Sequence, residues 1–317
     1  MNIDTITQLG RDREPFLFII SYDKEDIFAQ PLDNLDNDIL YKLNSHRNYK
    51  REKIDREYYL NSSLVEFKEY KNSFDKIIEQ IKSGNTYLLN LTFRTQIETN
   101  LSLEEIFKYS RAKYKLYFKD KFVCFSPESF IDIVDNRIST YPMKGTIDAS
   151  IDNSEEKILS DPKEMAEHIM IVDLMRNDLG IIGDSVKVKK FRYIDKIRAG
   201  DKELLQVSSH IEAELSTEWR DNIGDILDKL TPAGSVTGTP KRRTVEIISS
   251  VENYSRGFYT GVFGIFDGNS LFSSVMIRFI EKENKSLIYK SGGGITIDSD
   301  AMSEYRELID KVYLPLK

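Results

Sequence analysis

The chain of 317 residues predicts an α+β fold built on antiparallel sheets. Three observations carry this expectation. Candidate strands meet in hairpins: RGFYTGVFGIFDGNSLFSSVMIRFI turns at Asp267–Gly268, YKLYF and FVCFS turn at Lys119–Asp120–Lys121, and FIDIV and RISTYP turn at Asp135–Asn136. Helical patterns are interleaved with these hairpins, which argues for antiparallel sheets rather than a doubly wound parallel sheet. A hydrophobic content of 40%, with 17 Phe and 17 Tyr, supplies a large core. No repeat, low-complexity tract or linker divides the chain. One domain over 1–317 is therefore expected, with a short N-terminal part (1–60) and a motif-bearing part from about residue 64.

Taken in order, FLFII (16–20) is a buried strand, and the charged, Asn-rich stretch 23–60 predicts loops and short helices. Residues 64–84 carry a helical stripe of Leu64, Phe67, Tyr70, Phe74, Ile77, Ile78 and Ile81, stopped by Gly84. TYLLNLTFRTQI (86–97) is a strand with Asn90 in its middle, and 101–113 is a helix starting at Ser102. VKVKKFRYID and LLQVSSHIEAEL are strands, 221–230 and about 241–250 are helices, and SLIYKSGGGITI is a strand broken by three glycines. The chain closes on a helix carrying SEYRE.

KEMAEHIMIVDLMRNDLG (163–180) organises the chain. Asp161 stands at its N-cap, Pro162 at its first helical position and Glu164 three residues after the cap; Gly180 is the stop. Met165, Ile169, Val172 and Met175 form an apolar stripe. Glu164, Glu167, His168 and Ile171 fall at i, i+3, i+4 and i+7, so two carboxylates and an imidazole share a face. Alone, Glu164 could merely close a capping box and Glu167 face solvent. A second Glu-x-x-Glu, Glu304 and Glu307, changes that balance, because four carboxylates on two helices suit a hard divalent cation.

Composition excludes several classes. A net charge of −7 without a Lys/Arg block argues against a nucleic-acid surface. Cys124 is the single cysteine, so internal disulfides and Cys-based zinc sites are excluded. The N-terminus has no apolar signal segment and no apolar run approaches membrane-spanning length, which predicts a soluble, cytoplasmic protein.

Other motifs are ambiguous on residue type alone. PAGSVTGTPK (232–241) fails the phosphate-loop pattern, since Gly238 is followed by Thr239 and Pro240. Gly292–Gly294 lack dinucleotide-fingerprint spacing. Both stretches can offer backbone N–H groups to an anion, or be plain turns and bulges. SPESF (126–130) places Glu128 after a proline at a strand end. YPMKGT (141–146) places Lys144 beside Met143 and Gly145, either a desolvated amine nucleophile or a surface lysine.

The combination is specific. YLLNLTF, SPESF, PMKGT, KEMAEHIMIVDLMRNDLG, PAGSVTGTPK, RGFYTGVFG, MIR and GGGITIDSDAMSEYRE occur in one order over about 87–307. They resemble the chorismate-utilising enzymes, most closely the aminodeoxychorismate (para-aminobenzoate) synthase component I branch. The resemblance implies a single α+β domain of two antiparallel sheets packed as a sandwich with helices outside. It implies an Mg²⁺ site at Glu164, Glu167, Glu304 and Glu307, partly through water, that binds the ring carboxylate of chorismate. Gly292, Gly293 and Gly294 would offer N–H groups there. Tyr259 and Arg278 would hold the enolpyruvyl carboxylate, a planar group that arginine suits. Gly145, Thr146 and Thr237 would line the pocket, and His168 would face the reacting end of the ring.

Within the family, the relatives that add water carry a base lysine where this chain has Leu88, and anthranilate synthases carry a small residue where it has Lys144. The resemblance therefore implies Lys144 as covalent nucleophile at C2, Glu128 as acid for the C4 hydroxyl, and ammonia attack at C4 to give 4-amino-4-deoxychorismate on the route to para-aminobenzoate and folate. Cys124 lies in a strand without a nucleophile-elbow context, so ammonia is expected from a separate glutamine amidotransferase subunit, component II. The alternatives are an anthranilate or isochorismate synthase, against which Lys144 and Leu88 speak, and a non-catalytic scaffold. The chain is shorter than typical members at its N-terminal side, so no tryptophan-binding regulatory site is expected. Leu88, Met143 and Thr239 replace a common glutamine, isoleucine and alanine, and none of these changes removes a catalytic group.

Overall fold

In the computed structural model, which describes residues 2–199 and 202–316, the hairpin-forming runs assemble into two antiparallel sheets of nine strands each among the described residues. The first sheet runs from Met143–Asp148 through Lys202–Glu214, Arg137–Thr140, Ser129–Val134, Leu271–Val275, Val262–Phe266 and Phe16–Ile20 to Ile27–Pro31. Asp184–Ala199 pairs with Lys202–Glu214 beside this path. The second runs from Gly238–Thr239 through Leu88–Glu98, Ser286–Ile295, Phe279–Glu283, Phe122–Ser126, Tyr114–Phe118 and Ile39–Leu43 to His46–Arg47, with Asn61–Ser63 beside Leu88–Glu98.

Phe16–Ile20 shows how the layers pack, because it is buried on both faces. Leu17 and Ile19 meet Tyr41, Leu116, Phe122 and Cys124 of the second sheet, forming the interior of the sandwich. Phe16, Phe18 and Ile20 point the other way, against Leu174 of helix Pro162–Gly180 and Ile223 and Leu227 of helix Ile223–Leu230. A strand covered on both faces reads as an unbroken apolar run. The outer face of the second sheet is covered by helices Phe67–Lys82, Lys241–Val251 and Ala301–Asp310 at one end and by Leu103–Tyr109 at the other. No helix among the described residues is long and apolar enough to cross a membrane.

The chain switches sheets twice at one place. Phe122–Ser126 belongs to the second sheet and Ser129–Val134 to the first, so Pro127–Glu128 is a crossover. Leu271–Val275 and Phe279–Glu283 repeat this in the opposite direction, which makes Met276–Arg278 a second crossover. The two are hydrogen-bonded: Val275 N donates to Glu128 O at 3.3 Å, and Phe125 N donates to Arg278 O at 3.2 Å.

Several local expectations hold. Asp135 and Asn136, and Lys119 and Asp120, all have left-handed φ, as a tight hairpin turn requires. Asp161 caps helix Pro162–Gly180 by accepting from Glu164 N at 3.0 Å, and Ser102 and Glu105 form a capping box. Others are corrected. Residues 23–60 contribute the strands Ile27–Pro31 and Ile39–Leu43, whose periodicity is masked by their short length and charged turns. The 101–113 helix is only Leu103–Tyr109, because the chain becomes extended at Ser110. Strand Ser286–Ile295 is not broken at its glycines but pairs without interruption from Leu287 to Ile295. Ile169, expected in the buried stripe, is exposed, while Glu167, His168 and Asp178 lie on the buried face.

Candidate active site

A cavity of about 260 Å³ opens beside the double crossover. Glu128, Lys144, Tyr259, Arg278, the three glycines 292–294 and Glu307 all line it. At the crossover end, Glu128 is fixed through its backbone: its N donates to Ser126 Oγ at 3.1 Å, and its O accepts from Ser274 Oγ at 2.7 Å. Burial pushes the Glu128 carboxyl above the ordinary glutamate value, against the pull of Ser235, Lys144 and Lys311. Arg278 takes a left-handed φ of 51° at the second crossover, and its guanidinium lies 4.9 Å over the Tyr313 ring. Burial pulls the Arg278 pKa down, and no carboxylate among the described residues forms an ion pair with it. Tyr259, 2% exposed, stands beside it with its phenol pKa raised by burial. This end is built to receive an anion.

The opposite end is carried by helices and one bulged strand. Met143–Asp148 pairs with Lys202–Glu214, but its register shifts between Lys144 and Thr146. Gly145 occupies the bulge at φ 77°, and a Cβ there would come within 3.0 Å of Glu164 Oε2, so glycine permits both the bend and the approach. Lys144 Nζ lies 3.4 Å from Glu167 Oε2. Lys163 lies between Glu167 and Glu304, at 4.0 and 3.6 Å. Lys311 Nζ pairs with Glu307 at 2.8 Å and donates to Gly292 O at 2.8 Å. Burial and the neighbouring Glu167 raise the Glu164 carboxyl, and burial raises that of Glu304. At Glu307 burial also pushes upward, but attraction to Lys311 and the hydrogen bond with it outweigh this and leave the group lowered.

The family described as chorismate binding enzyme matches residues 10–317. The chain belongs to the chorismate-binding enzyme family. An uncharacterised PabA-like protein of Haemophilus influenzae is 46% identical over 99% of this chain and 96% of its own length. Aminodeoxychorismate synthase component 1 of Bacillus subtilis is 32% identical over 77% of this chain, a match spanning 54% of that enzyme. Among solved structures, anthranilate synthase component I of Streptococcus pneumoniae superposes with a TM-score of 0.69 at 27% identity, over 81% of this chain and 60% of that one. A protein of Bacillus anthracis named as a putative 2,3-dihydroxybenzoate-specific isochorismate synthase superposes with a TM-score of 0.73 over 99% of this chain and 87% of that one; at 19% identity it speaks for the fold.

Within this chorismate-binding fold, most of the residues singled out in the sequence converge. Gly145, Thr146, Gly292, Gly293 and Gly294 line the cavity with Lys144 and Glu128. Glu164 and Glu304 stand just outside, within 3.0 and 3.7 Å of where a Cβ on Gly145 and on Gly293 would be. Two expectations are corrected. His168 does not line the cavity; it is fully buried, with Nε2 at 2.7 Å from Ser209 Oγ and its ring edge-on to Phe191. Burial, with Arg192 and Lys144 adding to it, pulls its pKa down to about 4, which keeps the imidazole neutral. Helical spacing put His168 on the face of Glu164, but Phe191 and Ser209 of strands Asp184–Ala199 and Lys202–Glu214 cover that part of the face. Thr237 is also turned away, its Oγ1 donating to Ala233 O at 2.8 Å, while its neighbours Ser235, Val236 and Gly238 line the cavity.

Sequence reasoning missed Ser235, Gln206, Lys290 and Lys311 as lining residues. Asn90 also lines it, and its polar interruption of an apolar strand was the available signal. Leu88, the position compared with the water-activating branch, is in the wall as an apolar group.

Glu164, Glu167, Glu304 and Glu307 could hold a metal. As they stand, no three acidic, His or Cys groups among the described residues close on one point, and the ammonium groups of Lys144, Lys163 and Lys311 lie among them. The donor set is all carboxylate, and burial opposes leaving its charges unpaired. Both features suit Mg²⁺, which keeps several waters and needs few protein ligands. The residues fit such an ion.

Proposed function

We propose that this chorismate-binding enzyme makes 4-amino-4-deoxychorismate from chorismate and ammonia, acting as an aminodeoxychorismate synthase component I in para-aminobenzoate and folate synthesis. The observation that carries the reading is the joint presence of Lys144 and Glu128 in one cavity whose Leu88 wall offers no base for activating water. Relatives named aminodeoxychorismate synthase component 1 support it. The enolpyruvyl carboxylate docks on Arg278 and Tyr259, where an unpaired guanidinium awaits an anion. The ring carboxylate lies toward the glycines and the four glutamates, which would hold Mg²⁺; when bound, the ion supplies charge neutralisation for that carboxylate among acidic side chains.

Lys144 Nζ, as the free amine, forms a bond to C2 as the C4–O bond breaks. Glu128 gives its proton to the departing hydroxyl, which leaves as water, a role that its raised pKa favours. Ammonia then bonds to C4 and returns a proton to Glu128, while the C2–N bond breaks with its electron pair going back to Lys144, which is regenerated as the free amine. The ammonia is proposed to come from a glutamine amidotransferase subunit in the cytoplasm, consistent with relatives named as component 1.

Product identification by liquid chromatography and mass spectrometry tests the reading, with purified protein, chorismate, Mg²⁺, ammonium and a chelator control. Aminodeoxychorismate, passing to para-aminobenzoate only with an added lyase, is the expected result. Anthranilate or isochorismate would overturn it, and no turnover even with a glutaminase subunit added would favour a scaffold.

A further inference from the structure

Asp178 in RNDLG and Lys241 in GTPK carry chemistry that the proposed reaction leaves unused. Both side chains are largely buried, and Lys241 Nζ lies 2.9 Å from Asp178 Oδ2. The same ammonium donates to Leu230 O at 3.1 Å, the last residue of helix Ile223–Leu230. Lys241 itself opens helix Lys241–Val251. One side chain therefore ties together the two ends of the 231–240 loop and fastens both to helix Pro162–Gly180. The loop rests on this joint: a Cβ on Gly234 would lie 3.0 Å from Asp178 Oδ2 and 2.8 Å from Met175 Cε. On the loop's other side, Arg256 Nη1 donates to Val236 O at 2.8 Å. Between these anchors sits Ser235, which lines the cavity together with Glu128 and favours the ionised form of its carboxyl.

We propose that Asp178 and Lys241 are positioning residues for the reaction, clasping the 231–240 loop so that Ser235 meets Glu128. The inference rests on Glu128 being the acid that protonates the C4 hydroxyl. A buried ion pair suits this task because its geometry is narrow and its loss leaves one charge unpaired, so the loop has one low-energy seat. Glu128 is faced by Ser235 from the loop, Lys144 from strand Met143–Asp148 and Lys311 from the segment after helix Ala301–Asp310. The Ser235 hydroxyl favours the ionised Glu128 carboxyl, so its withdrawal makes Glu128 harder to deprotonate. The acid must be protonated to act; activity falls as pH rises through its pKa, and that alkaline limb moves upward when Ser235 is withdrawn.

The test is the pH dependence of kcat/KM for aminodeoxychorismate formation in wild type, Lys241→Met, Ser235→Ala and the double variant, with cooperative unfolding checked for each. Lys241→Met is expected to lose roughly tenfold to a hundredfold in kcat/KM and to shift the alkaline limb to higher pH. Ser235→Ala shifts it in the same direction, and the double variant goes no further than the larger single effect, because both act through one contact. Lys241→Arg restores the wild-type limb. If Lys241→Met does not fold, Asp178→Asn, which keeps a hydrogen-bond acceptor but removes the charge, is expected to give a smaller shift of the same sign. A variant that loses melting temperature while its limb stays in place, or additive effects of Lys241→Met and Ser235→Ala, overturns the clasp. Failure of the wild type to make aminodeoxychorismate would overturn the functional reading instead.

Discussion

The two ends of the cavity are made in different ways. At one end four glutamates project from two helices and are interleaved with Lys144, Lys163 and Lys311. At the other, Glu128 and Arg278 sit on adjacent crossovers between the sheets, held by backbone hydrogen bonds, and Arg278 has no carboxylate partner among the described residues. The helix end is acidic, its long side chains reaching the centre from positions that run from buried at Glu167 to exposed at Glu307. The crossover end is rigid, because displacing either residue would break the ladder on both sides. In the proposed reading, a dianion with one carboxylate at each end would meet one end that calls for an added cation and another that already carries its own.

The largest expected effect lies where the ends meet. Lys144→Ala should lower aminodeoxychorismate formation by on the order of a thousandfold while chorismate still binds, measured by product yield and by calorimetry. Full activity in this variant would remove the covalent step and leave the ends as binding elements only. Next, Arg278→Ala should raise the KM for chorismate roughly a hundredfold, since a charge-assisted bidentate contact is lost, and added Mg²⁺ should not restore it. Glu304→Gln should do the converse: about a tenfold increase in the Mg²⁺ needed for half-maximal rate, with KM at saturating Mg²⁺ little changed. Equal metal dependence in Arg278→Ala and Glu304→Gln would dissolve the contrast between the ends.

The smallest effect concerns Lys115, a buried lysine remote from both ends that donates to the backbone oxygens of Phe107 and Ser110 and lies over the Tyr49 and Phe107 rings. Burial, with Lys42 and Arg51 adding to it, pulls its pKa from 10.5 down to about 7. Between those values the unfolded chain binds one proton more than the folded chain, so this lysine makes stability rise with pH through that window. Lys115→Met should flatten the rise, reducing the melting-temperature gain between pH 7 and pH 9 by ~2–4 °C. An unchanged gain would show that this buried charge is relieved in some other way.

The helix end was the legible one. Glu-x-x-Glu spacing, the Asp161 cap and Pro162 are local features, and a helix turns such spacing into a shared face without tertiary help. Even there, the buried side was misjudged, since Ile169 faces out while Glu167, His168 and Asp178 face in. A face chosen to serve a cavity need not be the apolar one. At the crossover end, the strands and their turns could be read, but nothing local says that Pro127–Glu128 and Met276–Arg278 change sheets side by side.

By itself, the sequence determined the elements with local causes: hairpins at Asp135–Asn136 and Asp267–Gly268, capped helices, the unbroken apolar run Phe16–Ile20, and the pairs of glutamates. Only the tertiary structure decided that His168 is walled in by Ser209 and Phe191, that Thr237 yields its place to Ser235, and that Lys241 closes a loop onto Asp178. The His168 and Lys241 contacts join residues tens of positions apart, where side-chain direction follows from the packing of whole elements and not from the neighbours in the chain.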